Sequence, residues 1–90
     1  MTDRSKAFLS VVDATLDTRG EAYGSMQENF QRMADMANAY LGPKLKHPLS
    51  PADCCGIMVA FKLARLANDA AHADSILDIA GYAAIWNEVT

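Results

Sequence analysis

This 90-residue chain has no run of apolar residues approaching the 20 or so that a membrane-spanning helix needs, so no membrane partner is expected. Its opening, Met1-Thr-Asp-Arg-Ser-Lys, is mixed in charge, and the apolar run after it is too short for a signal peptide. Excess positive charge is missing too. Eight Lys and Arg stand against 11 Asp and Glu, a net charge of −3. That balance argues against binding polymeric nucleic acid through phosphate neutralisation. It leaves a small nucleotide open, because a pocket needs only a few local cations. Cysteine is scarce: Cys54 and Cys55 are neighbours that point about 100° apart on a helix, so a disulfide between them would be strained. Metal-ligand spacing is absent as well. Free buried thiols in a reducing cytosol are the expectation. No alternating strand pattern, internal repeat or low-complexity segment occurs.

What is present is a 51% apolar composition, ordinary for a folded chain, and four stretches of helical periodicity. The fold class is all-α, with one helical domain over residues 1–90 and a core small enough to favour association. The first helix is predicted over residues 3–17, with Phe8, Leu9, Val11, Val12 and Leu16 on its apolar side. The glycines of Arg19-Gly-Glu-Ala-Tyr-Gly24 then suit a turn. Ser25 opens the second helix, with Glu28 three residues on as its capping-box partner. Its buried face is predicted to carry Phe30, Met33, Met36, Ala37, Tyr40 and Leu41, and Gly42-Pro43 stops it. Ser50-Pro51-Ala-Asp53 starts the third helix, with Ser at the N-cap, Pro at the first position and Asp53 as a helix-start residue. From Cys54 to Leu66 that helix is apolar nearly all round, which predicts a central position. Asp74 or Ser75 is expected to cap the fourth, which carries Ile76, Leu77, Ile79, Tyr82, Ile85 and Trp86.

Charge within these apolar helices carries the chemistry. Lys62, Arg65 and Asp69 share one stripe, and Asp74, Asp78 and Tyr82 share another on the next helix. Charged groups on a largely buried helix need partners. One reading is a core lock, Arg65 on Asp78 and Lys62 on a carboxylate such as Glu28. The other is a phosphate site, with Arg65 as a bidentate fork and Lys62 as a point charge. Both can hold together if Asp78 orients an Arg that also faces ligand.

The segment Arg19-Gly-Glu-Ala-Tyr-Gly24, just before a capped helix N-terminus, is the second unusual element. Free N–H groups there favour anions. Tyr23 could stack on a base, and Glu21 or Asn29 could read its edge. A plain turn with Tyr23 on the core is the alternative. Arg32 joins the candidates as a cation on the second helix. Lys44, Lys46 and His47 form either a solvated loop or a phosphate-gripping one. Met26, Met33, Met36 and Met58 sit at core spacing and need no cofactor.

Three motifs carry a resemblance: Arg-Gly-Glu-Ala-Tyr-Gly-Ser-x-x-Glu-Asn-Phe (Arg19 to Phe30), Lys-Leu-Ala-Arg-Leu (Lys62 to Leu66) and Asp-Ser-x-x-Asp-x-Ala-Gly-Tyr (Asp74 to Tyr82). Together they resemble a family of small phage-encoded proteins, similar in turn to the all-α nucleoside triphosphate pyrophosphohydrolases of the MazG and dUTPase type. The resemblance covers most of the chain after Asp17. It implies a four-helix MazG-like bundle completed by oligomerisation, with a nucleotide bound between helices. Members of that enzyme class hold Mg²⁺ on two acidic pairs. Here the first pair is replaced by Lys62 and Arg65. Ser75 and Asp78 stand in the second, with Asp74 one residue out of register. Cations where a metal would sit can grip phosphate directly but forgo its Lewis acid.

The resulting expectation is a non-catalytic nucleotide-binding protein, a phage sponge for a linear or cyclic nucleotide immune signal in the cytoplasm of an infected bacterium. It carries no metal or cofactor and assembles as a homo-oligomer. Its ligand set is Lys62, Arg65, Asp78, Asp74, Tyr82, Glu21, Tyr23, Glu28, Asn29 and Arg32. One alternative is a Mg²⁺-dependent pyrophosphohydrolase using Glu28, Asp74 and Asp78, with Glu21, as a rearranged metal set. Another is a structural helical module.

Overall fold

The computed structural model describes residues 2–23 and 25–90, and the side chains of these apart from residues 20–23. The described residues form four α-helices and no strand: α1 Asp3–Tyr23, α2 Met26–Leu41, α3 Pro51–Asn68 and α4 Ala73–Val89. A 3₁₀ turn, Gly42–Lys44, follows α2. None of these helices is long and apolar enough to cross a membrane.

Local chemistry explains most of the boundaries. Ser25 is in extended conformation and its hydroxyl accepts from the Glu28 amide, which opens α2. Ser50 and Asp53 form a reciprocal capping box, and Pro51 occupies the first turn of α3, where its missing N–H costs nothing. Between them, Asn38 clamps the connecting loop: its Nδ2 donates to the Leu49 carbonyl at 2.9 Å and its Oδ1 accepts from the Leu49 amide at 2.6 Å. This clamp ties the residue just before the N-cap of α3 to α2.

Three expectations about the elements are corrected. The first helix does not stop at residue 17 but runs on to Tyr23, carrying Arg19 onto α4. An interior glycine costs a helix only about 1 kcal/mol, which the contact of Arg19 with α4 can offset. The fourth helix is capped by neither Asp74 nor Ser75. His72 does it: its Nδ1 accepts from the Ser75 amide at 3.2 Å and lies 2.7 Å from the Ser75 hydroxyl, which is fully buried beneath it. His72 can do this only with Nδ1 unprotonated. Nor is α3 central. It packs chiefly on α4 and secondarily on α2, while α1 rests on α4 and α2. Ile57, Phe61 and Leu63 consequently face outward.

The core is correspondingly small. Phe30, Ala34, Cys54, Cys55 and Ile85 form it, with Leu16, Met26, Met33, Met58, Tyr82 and Val89 packed around them. Phe30 meets Tyr82 edge to face, ring centroids 6.1 Å apart, an arrangement favoured by the aromatic quadrupole. On α2 the buried stripe runs through Phe30 and Ala34, so Met36 and Tyr40, predicted inside, are exposed instead. Helical geometry allows nothing else, since Met36 lies two residues from Ala34 on another face. Trp86 packs edge-on against α3, its ring only 3.3 Å from where a side chain on Gly56 would begin. The two cysteines are free and buried, as expected.

Candidate functional site

Asp78 is the buried acid around which the helices meet. It sits mid-helix on α4 and is 5% exposed. Arg19 Nη2 donates to its Oδ1 at 2.9 Å, and Lys62 Nζ lies 3.0 Å from its Oδ2. Three helices, α1, α3 and α4, are tied at one carboxylate. Burial pushes the Asp78 carboxyl upward, but hydrogen bonds from Lys62 and Arg19, with their charges, outweigh it and hold the group below its ordinary value. Asp78 is therefore ionised at neutral pH. Two cations against one carboxylate leave one unit of positive charge in a partly buried place. Among the described residues no buried side-chain nitrogen or oxygen lacks a hydrogen-bond partner.

This triad forms one wall of an open cavity of about 380 Å³. Asn29 and Tyr82 supply further polar groups, and the sulfurs and rings of Met26, Met33, Met58 and Phe30 supply the apolar lining. The volume is within the usual range for small-molecule sites. A cationic corner, an aromatic floor and one amide suit a ligand with a negative group attached to a flat apolar one.

Of the expected ligand residues, the structure brings Lys62, Asp78, Tyr82 and Asn29 together. It does not bring Arg65 there. Arg65 is exposed and lines a separate cavity at the α3–α4 turn with Asn68, Asp69 and His72. The expected Arg65–Asp78 lock is replaced by Arg19–Asp78, and Lys62 pairs with Asp78 rather than Glu28. The reason is axial. Lys62 follows the buried Cys55 by seven residues and Met58 by four, which places it on the inward stripe of α3 at the level of Asp78. Arg65 is about 4.5 Å further along α3, towards the turn into α4. Glu28 is exposed in the first turn of α2, Asp74 is exposed in the first turn of α4, and Arg32 is exposed on α2; none lines the cavity. Glu21 and Tyr23 lie outside the described residues as far as their side chains go. Among the described residues no three His, Cys, Asp or Glu side chains converge as a metal site.

Arg19 is absent from the expected ligand set, yet it lines the cavity and pairs with Asp78. Its signal is indirect: a guanidinium at the end of a helix, in a chain whose one mid-helix Asp on α4 falls on the buried stripe of Ser75, Gly81 and Ile85. Met26, Met33, Met58 and Phe30 were read as core; they are both core and cavity wall.

Fold and site thus define a class: an all-α four-helix protein with an Asp held between Lys and Arg at the mouth of a cavity. The chain belongs to the family described as Domain of unknown function (DUF6378), whose model matches residues 8–90. It is similar to the Gene 55 protein of Mycobacterium phage L5, 36% identical over 71 residues that make up 79% of this chain and 44% of that protein. The Gene 55 protein of Mycobacterium phage D29 is 35% identical over 65 residues, 72% of this chain and 40% of the other. The chain therefore spans less than half the length of these curated relatives. The expected likeness to phage-encoded proteins is met by both. No solved structure matches.

Proposed function

We propose that the cavity beside Asp78 binds a nucleotide through its phosphate and does not hydrolyse it. The observation that carries this reading is the arrangement of two cations on one buried carboxylate. Asp78 orients Lys62 and Arg19 without neutralising both. Arg19 gives one nitrogen to Asp78, and a guanidinium has five N–H donors in a fixed fork, so it can grip a phosphate oxygen at the same time. Phe30, Tyr82 and the methionines offer the base an apolar surface, and Asn29 offers its edge an amide.

In this reading the bundle is MazG-like, and Lys62 stands where the first acidic pair of that enzyme type would hold Mg²⁺. An ammonium paired with Asp78 supplies charge without a Lewis acid or an activated water. The protein then sequesters its ligand. Because the relatives of this chain are phage proteins, we read it as a sponge that removes a linear or cyclic nucleotide signal from an infected cell, acting as a homo-oligomer in the cytoplasm. A second reading, a helical module in which Arg19, Lys62 and Asp78 only lock the core, draws support from the same geometry, since both carboxylate oxygens are satisfied within the chain.

A thermal-shift panel of nucleoside mono-, di- and triphosphates and cyclic oligonucleotides, with and without Mg²⁺, separates these readings. Chromatography of recovered ligand completes it. Stabilisation by a ligand recovered intact is the expected result. Nucleoside monophosphate and pyrophosphate would replace binding by hydrolysis, and no shift with any ligand would leave the structural module.

A further inference from the structure

The side of α3 that faces away from α4 and α2 is apolar and open. Ile57, Ala60, Phe61 and Ala64 recur there at i, i+3, i+4 and i+7, the spacing of one helix face. Ile57 is 39% exposed, Phe61 61% and the flanking Leu63 55%. Trp86, 40% exposed and packed against Gly56, extends the patch onto α4. Lys62 and Met58, which line the cavity, lie on the other side of the helix. The patch is a different surface from the ligand site.

The size of the molecule says how much is uncovered. A folded monomer of this mass exposes about 5,100 Å² on the usual scaling of area with mass. This chain, at 9.7 kDa, exposes 6243 Å². Its radius of gyration is 14.5 Å, against about 12 Å for a compact domain of its length. The surplus of about 1,100 Å² belongs to the whole molecule and is shared with Leu9 and Val11 on α1 and Met36 and Tyr40 on α2, yet it leaves room for the roughly 800 Å² that each partner gives to a standard interface.

We propose that this face is the contact surface of a homodimer, two copies packing α3 against α3 about a two-fold axis, with Phe61 of each copy on the Ala60–Ala64 notch of the other. The surface is self-complementary in the way such an axis demands, because one face carries both the projecting rings and the small residues that receive them. The inference gives a surface to the assembly assumed in the proposed function and rests on that part of it alone.

Light scattering at micromolar concentration tests it. The unaltered chain is expected at twice its 9.7 kDa, and Phe61→Glu at the monomer mass with its helical circular dichroism retained. A bis-maleimide of short reach should link Ala64→Cys chains in pairs but not the unaltered chain, whose cysteines are both buried. A monomeric unaltered protein overturns both the surface and the assembly. An oligomer that Phe61→Glu leaves intact overturns the surface and leaves the assembly standing. If Phe61→Glu loses helix, the Ala64→Cys reaction decides: paired chains support the surface, and single chains overturn it. Nucleotide thermal shifts, read separately on the unaltered chain, keep the failure of the ligand reading distinct from either.

Discussion

Replacing Asp78 by Asn tests the triad most revealingly, because the change keeps the shape of the side chain and removes its charge. Lys62 and Arg19 are left facing each other across a neutral amide. Removing one partner of a fully buried ion pair costs about 3–5 kcal/mol. Here the cost falls to the bottom of that range or just below it, because the Lys62 and Arg19 side chains keep 17% and 32% exposure, and Asn still offers one acceptor. A loss of about 2–3 kcal/mol is expected, the worth of one or two hydrogen bonds to charged groups. A domain of this size has about 5–13 kcal/mol in total, so the variant should fold, with Tm lower by about 8–24 °C. Urea and thermal unfolding by far-UV circular dichroism measure this directly. The pH dependence is the sharper part. The folded carboxyl titrates below its ordinary value of 3.8, so its contribution is present above that pH and is lost as pH falls through the folded value. The gap between Asp78→Asn and the unaltered chain should therefore close progressively as pH is taken below 3.8. A gap under about 0.5 kcal/mol at neutral pH, the level of an ordinary surface change, or one that stays constant into acid, would refute the reasoning.

The remaining predictions concern other places in the fold. Burial, with the neighbouring Cys54 charge, pushes the Cys55 thiol up to about 11, and burial beside Asp53 raises Cys54 from 9.0; both should react with a thiol reagent at pH 8 only after unfolding. The same shifts contribute stability that is complete below pH 9.0 and lost as pH rises towards 11, which alkaline urea titration of Cys55→Ala against the unaltered chain would reveal. Phe30→Ala should cost about 3–5 kcal/mol, the range for deleting a fully buried ring; a cost below 1.5 would mean the ring is not central to the core. His72→Ala should cost about 1 kcal/mol through the lost cap of α4, and His72→Asn should restore most of it.

The helices and two of their caps were legible in the sequence because they depend on neighbours in the chain. Ser25 and Ser50-Pro51-Asp53 carry their geometry in their own side chains. What failed depended on rotation and distance. Which of Lys62 and Arg65 reaches Asp78 turns on about 4.5 Å of rise along α3, and although the line Cys55–Met58–Lys62–Leu66 marks the inward stripe, it shows as inward only against the polar side of α3, which is short of polar residues. The exposure of Phe61 and Leu63 was hidden for the same reason. The Arg19–Asp78 contact joins residues 59 apart, and no local pattern encodes such a pairing. His72 escaped because imidazole is an uncommon cap beside two ordinary cap residues, Asp74 and Ser75. Of the expected ligand residues, Asp78, Lys62, Tyr82 and Asn29 line one cavity, each on the inner stripe of its helix.

The central claim is that Lys62 and Arg19 hold phosphate directly, with no metal between. Titrating whichever nucleotide gives the largest thermal shift, in EDTA and then in Mg²⁺, into the unaltered chain, Lys62→Met and Arg19→Gln measures that claim. Binding should survive EDTA, weaken with added salt as charges are screened, and fall by about 1.5–3 kcal/mol in each variant. Affinity that vanishes in EDTA and returns with Mg²⁺, or that is unchanged in both variants, would contradict it.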